Sequence, residues 1–171
     1  LKLTDDISRS IDDGNITVGV FIDLAKAFDT VNHKILVDKL HYYGIRGVVN
    51  KWFSSYLTNR KQYVNINNTN SEHSLIQCGV PQGSILGPIL FLLYINDLNQ
   101  VSDILKSIMF ADDTNLFLSG KNVNDIEQQF NKELTTITEW FDANLLSLNI
   151  KKTSFIVFSN NNKLNVNIVN K

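Results

Sequence analysis

One cysteine, Cys78, stands in a chain of 171 residues, so no disulfide can close within it and no cysteine-rich zinc site can form. That usage suits a reducing, intracellular setting. Positive charge is not in excess: 16 Lys and Arg face 17 Asp and Glu, for a net charge of −1. A histone-like coat for nucleic acid is excluded, whereas a local basic groove is not, because net charge averages over all faces. Long apolar runs are missing too. The longest, residues 85–95, is interrupted by Gly87 and Pro88 and falls far short of the ~20 residues that span a bilayer. No N-terminal stretch has the charged, apolar and cleavage-site parts of a signal peptide. The sequence points to no membrane and to no disulfide partner.

Asparagine, by contrast, is abundant, with 22 residues. Tracts such as 65–70 and 160–162 read as turns. Hydrophobic residues make up 43% of the chain. A chain of this length buries roughly two-thirds of its unfolded surface, so a folded domain is expected rather than general disorder.

Periodicity divides the chain into mixed elements. Thr4 can cap a helix through Ile11, with Gly14 past its end. Residues 16–23 alternate as a strand, with Val18, Val20 and Ile22 on one face and Gly19, Phe21 and Asp23 on the other. Helices are expected over 32–43, ended by Gly44, and over 48–57, where Trp52 and Tyr56 read as core. Residues 62–66 and 72–78 read as two strands joined by an Asn-rich turn. The Gly/Pro-punctuated segment 79–88 opens an apolar helix to about Asn96, with Pro88 tolerated in its first turn. Residues 107–111 and 114–118 form a tight hairpin. Asn124 and Glu127 suggest a capping box for a helix whose stripe is Ile126, Phe130, Leu134, Ile137, Phe141 and Leu145. Strands are expected over 154–158 and 164–169. Hairpins interleaved with helices read as α+β.

The chemistry-bearing residues sit at strand ends. Asp112 and Asp113 follow the apolar run 108–111. Two adjacent carboxylates at the mouth of a buried strand repel each other and resist desolvation, and a divalent cation would offset both costs. Read alone, Asp-Asp is also an ordinary turn dipeptide. Asp23 ends a second apolar strand and, by itself, is equally an acid capping the next turn. Together the two strand ends would bring three carboxylates to one sheet edge. Oxygen-only ligands suit hard Mg²⁺ rather than zinc. Such a cluster could hold two metals ~3.5–4 Å apart and stabilise an in-line phosphoryl displacement.

At this point the sequence resembles a known family. Phe21-Ile22-Asp23-Leu24-Ala25-Lys26-Ala27-Phe28-Asp29 resembles motif A of the reverse transcriptases of non-LTR (LINE-type) retrotransposons. Gly79-Val80-Pro81-Gln82-Gly83-Ser84-Ile85-Leu86-Gly87-Pro88, continuing to Ile95-Asn96-Asp97-Leu98, is similar to their motif B. Phe110-Ala111-Asp112-Asp113 is similar to motif C, and Leu148-Asn149 with Lys152-Thr153 to motif D. Any one of these is weak, whereas four in this order are specific. The wording is closest to jockey-like elements of animals.

The resemblance implies roles residue by residue. Asp23 and Asp112 would be the principal metal ligands, and Asp113 would complete the acidic cluster. The backbone from Leu24 to Ala27 would lie along the incoming triphosphate. Phe28 would be a steric gate whose ring leaves no room for a 2′-hydroxyl, although without the motif it is as readily a core aromatic. Gln82 and Gly83 would lie beside the nucleotide and template base. Gln82 offers an amide that donates and accepts, and Gly83 allows close backbone approach. Lys152 would donate a proton to pyrophosphate, or stand as a solvated lysine beside Lys151. His33, His41 and His73 have no ligand spacing and read as structural. Asp29 reads as structural too, a cap for the helix near Asn32. Arg60-Lys61 could touch template phosphate or be solvated surface.

As a whole, the resemblance implies a right-hand polymerase palm over residues 1–171, with a small antiparallel, ferredoxin-like sheet backed by helices. Fingers would precede it and a thumb would follow. The implied partners are an RNA template, a DNA primer and dNTPs, with two Mg²⁺ ions for which Mn²⁺ can substitute. Alternatives stay open: an inactive remnant, a group II intron-type reverse transcriptase, an RNA-directed RNA polymerase, or a non-catalytic RNA-binding module. Against the last stand the missing aromatic RNP pattern and the acidic sheet edge.

Overall fold

The computed structural model describes residues 2–160 and Ile168; the strand expected over 164–169 lies outside them except at Ile168. Strand β1 (Ile16–Ile22) runs inside a four-stranded sheet of order β6-β7-β1-β8, with β6 (Lys106–Phe110), β7 (Asp113–Gly120) and β8 (Ser154–Phe158). Every neighbouring pair is antiparallel. In chain order the first strand lies between the third and the fourth, and the second takes an edge. This is the ferredoxin-like arrangement that the resemblance implies.

Two helices cover this sheet, α1 (Lys2–Asp12) against β1 and α6 (Val123–Ala143) against β7. The stripe of α6 does what its spacing predicts: Ile126, Phe130, Leu134, Ile137 and Phe141 are buried, each such side chain stabilising the fold by about 1.5–3 kcal/mol. The sixth expected member departs. The helix ends at Ala143, Leu145 takes φ 54 and is 57% exposed, and Leu146 is buried instead. The start of α6 differs as well. Asn122, not Asn124, supplies the cap, its Oδ1 accepting from the Asn124 backbone N–H. The side chains of Asp6 and Lys106 pair, tying α1 to β6.

Strand β1 does not alternate in burial, because both its faces are covered. Gly19 faces the ring of Phe117, where a Cβ would lie 2.6 Å from the ring edge. Phe21 meets Phe117 edge-on. The strand reads as alternating in sequence, yet in the structure every position but Phe21 is buried.

The chain divides into two compact units. The first holds the four-stranded sheet with α1 and α6. The second comprises Lys26–Asn96 and Asn144–Leu146. It contains the short α2 (Ala27–Thr30), α3 (His33–Tyr42), α4 (Gly47–Leu57) and α5 (Leu86–Ile95). Its core is Leu36, Leu40, Leu57, Leu90, Phe91, Tyr94 and Ile95. Asn32 caps α3 through Oδ1 to the Ile35 N–H, so the cap assigned to Asp29 belongs to Asn32. Helix α4 buries only Leu57 fully. Trp52, expected in the core, is 51% exposed and stacks on Tyr56 at 5.5 Å. Apolar residues surround α4 on most sides, so periodicity alone does not select its inner face.

Between α4 and α5 lies a ribbon of two short antiparallel ladders. β2 (Lys61–Gln62) pairs with β5 (Ser74–Leu75), and β3 (Asn65–Ile66) pairs with β4 (Thr69–Asn70). Asn67 and Asn68 both have positive φ, 49° and 60°, which makes the Asn-Asn pair a type I′ turn. The strands are shorter than predicted because residues 61–75 are all exposed and no core selects a longer pairing.

Candidate active site

The β6–β7 hairpin turns in two residues, Ala111 and Asp112, between the pair Phe110 and Asp113. Ala111 adopts φ 53, a left-handed conformation unusual for alanine and of the kind that accumulates at functional sites. In the next strand pair, Ile22 lies opposite Thr114. The pairing ends there, so Asp23, the residue after β1, and Asp113, the first residue of β7, lie at the same end of the sheet. Sequence reading could not make these strands neighbours; the antiparallel register does. Asp23 and Asp112 are half-buried, and Asp113 is exposed.

A turn from the start of β8 clasps Asp23 from the other side. Leu24, buried, forms a bridge with Leu148. The Asn149 N–H donates to the Asp23 carbonyl at 2.8 Å, and the Ala25 N–H donates to Ser147 at 2.8 Å. The Thr153 hydroxyl accepts from the Asp23 N–H at 3.4 Å. These bonds place Lys152 Nζ 3.9 Å from Asp23 Oδ2. The Lys152 side chain is 70% exposed, so the pair contributes little stability, but it sets a cation beside the carboxylate. Asp23, Asp112, Asp113, Lys152 and Leu24 therefore belong to one sheet end. In sequence Thr153 stands only as part of the motif, and no spacing rule singles out its hydroxyl.

The second unit carries Phe28, Gln82 and Gly83. Phe28 is half-buried and leans on the buried Phe91, ring centroids 4.6 Å apart. Gln82 is exposed, and its Nε2 donates to Asp29 Oδ1 at 2.8 Å. The strap beneath it is backbone: the Gly79 N–H donates to Val31 and the Val80 N–H to Phe28, each at 2.8 Å. His33 Nε2 meets the Gly79 carbonyl at 2.7 Å, which gives that histidine its structural place. Gly79, at φ 89, could carry no side chain, since a Cβ would lie 2.8 Å from the Asp29 carbonyl oxygen. At Gly83 the reason for glycine is its φ of 76; a Cβ there would meet no protein atom within 4 Å. The partner of Gln82 was missed in the sequence because 53 positions separate it from Asp29.

Among the described residues, no three His, Cys, Asp or Glu side chains converge closely enough to hold a metal ion. The three-carboxylate cluster expected from sequence is thus drawn to one sheet end but not closed. In chemistry the donor set fits a hard divalent cation, being all oxygen and lacking Cys or His. No helix among the described residues is long and apolar enough to cross a membrane.

Comparison with known proteins gives the family and the fold. The family model described as "Reverse transcriptase (RNA-dependent DNA polymerase)" matches residues 3–168. A Drosophila melanogaster protein named "Probable RNA-directed DNA polymerase from transposon BS" is 33% identical over 165 residues, 89% of this chain and 17% of its own length. The RNA-directed DNA polymerase from mobile element jockey of the same species is 27% identical over 163 residues, with the same coverage. The chain thus spans about a sixth of the length of these curated relatives. Among solved structures, telomerase from Candida albicans, determined with a fragment of telomeric RNA, superposes with a TM-score of 0.65 at 15% identity. That match covers 98% of this chain and 32% of the telomerase chain. At such identity the likeness is one of fold.

Proposed function

The chain belongs to the reverse transcriptase (RNA-dependent DNA polymerase) family, and on that premise we propose that it is the palm of a retrotransposon RNA-directed DNA polymerase. In this reading it adds deoxynucleotides to a primer 3′ end on an RNA template. The observation that supports the proposal is the antiparallel pairing of β1 with β7, whose last pair, Ile22 with Thr114, adjoins Asp23 on one strand and the Asp112-Asp113 turn on the other.

Reverse transcriptases as a family use divalent metal ions. Asp23 and Asp112 would hold them here, with Asp113 adding negative charge at the same sheet end, and two Mg²⁺ ions fit the reading. When bound, such ions screen the triphosphate and favour the ionised primer hydroxyl.

The reaction forms a bond between the primer 3′ oxygen and the α-phosphorus and breaks the bond from that phosphorus to pyrophosphate. The primer hydroxyl loses a proton and the leaving pyrophosphate gains one. Lys152, held beside Asp23, would supply the second proton. The backbone around Leu24 would lie along the triphosphate. Phe28, braced by Phe91, would exclude a 2′-hydroxyl by volume and so select deoxynucleotides. The Gln82 amide, with one N–H committed to Asp29, keeps its carbonyl oxygen and second N–H for the nucleotide.

The test is primer extension on an RNA template by the natural reading frame that carries this chain, with dNTPs and a Mg²⁺ titration. Extension that rises with Mg²⁺ and stops on chelation is expected. RNA binding without metal-dependent extension would contradict the proposal in favour of a non-catalytic binding module.

A further inference from the structure

The turn that carries Gln82 and Gly83 is closed by Ser84, a side chain to which the four motifs give no role. Residues 81–84 bend back on themselves, the Ser84 N–H donating to the Pro81 carbonyl at 3.3 Å. Gly83, third of the four, has φ 76, whereas Gln82, the second, has no positive φ. That is the pattern of a type II turn with Gln82 at its corner. The Ser84 hydroxyl then both donates and accepts. Oγ donates to the Pro81 carbonyl at 2.7 Å and accepts from the Gly87 N–H at 2.9 Å. This N–H lies in the first turn of α5, among the donors that no carbonyl of the helix satisfies. Gly87, buried in α5, seats the turn. A Cβ there would lie 2.5 Å from the Pro81 carbonyl oxygen and 3.2 Å from Ser84 Oγ. Gly87 has no positive φ, so close approach, not backbone shape, is what calls for glycine.

Gln82 is thus held from two sides. Asp29 holds its amide, and the Ser84 hydroxyl ties the backbone that bears the amide to the start of a buried helix. Capping α5 needs only the bond from Gly87. The bond from the same hydroxyl to Pro81 is surplus to capping, and it fixes where the turn stands. We propose that Ser84 is a positioning residue for the incoming nucleotide. It touches no substrate and acts through Gln82, with Gly87 as the seat against which the turn is clamped. This role rests on the reading of Gln82 as a nucleotide contact.

The test is steady-state primer extension on an RNA template by the natural reading frame that carries this chain, in variants matched for folding by circular dichroism. Ser84→Ala removes both hydroxyl bonds and should raise the dNTP KM by about 2–10-fold, the equivalent of one ordinary hydrogen bond, with kcat nearly unchanged. Ser84→Thr keeps the hydroxyl and should restore most of the loss. Gly87→Ala, which pushes the Pro81 carbonyl away, should raise the KM in the same way. In a Gln82→Ala background Ser84→Ala should add little, because residues that act as a unit are not additive. Asn122→Ala, which removes the cap of α6, should leave the KM where it is. If Ser84→Ala does not fold, Ser84→Cys takes its place, being similar in size and a weak hydrogen-bonder. A parental KM in the folded variant, no rescue by threonine, or an equal rise with and without Gln82 would overturn the role and leave the polymerase reading standing. A parent protein that binds RNA without extending a primer would overturn that reading, and the role of Ser84 with it.

Discussion

Gln82 Nε2 donates to Asp29 Oδ1 at 2.8 Å, joining the segment after Phe28 to the turn that precedes α5. The bond orients an amide whose remaining donor and acceptor are the groups proposed to meet the nucleotide. Asp29 touches no substrate in this reading; it positions the side chain that does. Asp29→Ala should therefore raise the dNTP KM by about 2–10-fold, the equivalent of one ordinary hydrogen bond, with kcat nearly unchanged. Asp29→Asn, which keeps an acceptor oxygen, should recover most of the loss. Equal falls in kcat for both variants would contradict a positioning role.

Phe28 is braced against Phe91 at 4.6 Å between centroids, which fixes where its ring can stand. Phe28→Val shortens the side chain and opens the space a 2′-hydroxyl would need. Discrimination against ribonucleotides should weaken by about 10–200-fold, the usual worth of one steric contact in a pocket. Competition assays with paired dNTP and rNTP substrates measure this directly. Unchanged discrimination would return Phe28 to a purely core role.

Lys152 is held near Asp23 by backbone bonds from residues 147–149 and by the Thr153 hydroxyl. If it donates a proton to pyrophosphate, Lys152→Ala should lower kcat by about 10²-fold, the low end for general acid catalysis, and leave the dNTP KM in place. Removal of a merely solvated lysine would leave kcat unchanged as well. Single-turnover extension separates the two.

Gly19 lies beneath the Phe117 ring, where a Cβ would meet the ring edge at 2.6 Å. Gly19→Ala should destabilise the sheet by about 1–3 kcal/mol through overpacking. Thermal unfolding followed by circular dichroism should show a fall of about 2–4 °C for each kcal/mol. A variant as stable as the parent would mean that Phe117 can turn aside.

Much of the fold was legible where one physical signal dominated. The α6 stripe had a single buried face, and β1 was apolar enough to be called a strand whichever face it showed. Legibility ended where the deciding partner was remote. Trp52 reads as core, but α4 is apolar on most sides, and packing on α3 chose another face. The ribbon strands are shorter than their sequence pattern suggests because exposed residues carry no burial pattern to mark an end. At the site, each motif named its own residues, yet the pairing of Asp23 with the β6–β7 hairpin needed the sheet order, and the Asp29–Gln82 bond needed the tertiary strap. Ala111, whose φ is 53, gave no sign in sequence of a left-handed turn.

The central claim is that the carboxylates at the meeting of β1 with the β6–β7 hairpin carry out nucleotidyl transfer. Its most direct test is primer extension on an RNA template by parent, Asp23→Asn and Asp112→Asn proteins, matched for folding by circular dichroism and for RNA binding. Both substitutions keep size and remove a charge, so extension should fall below detection while RNA binding persists. Extension at the parental rate in either folded variant would contradict the account.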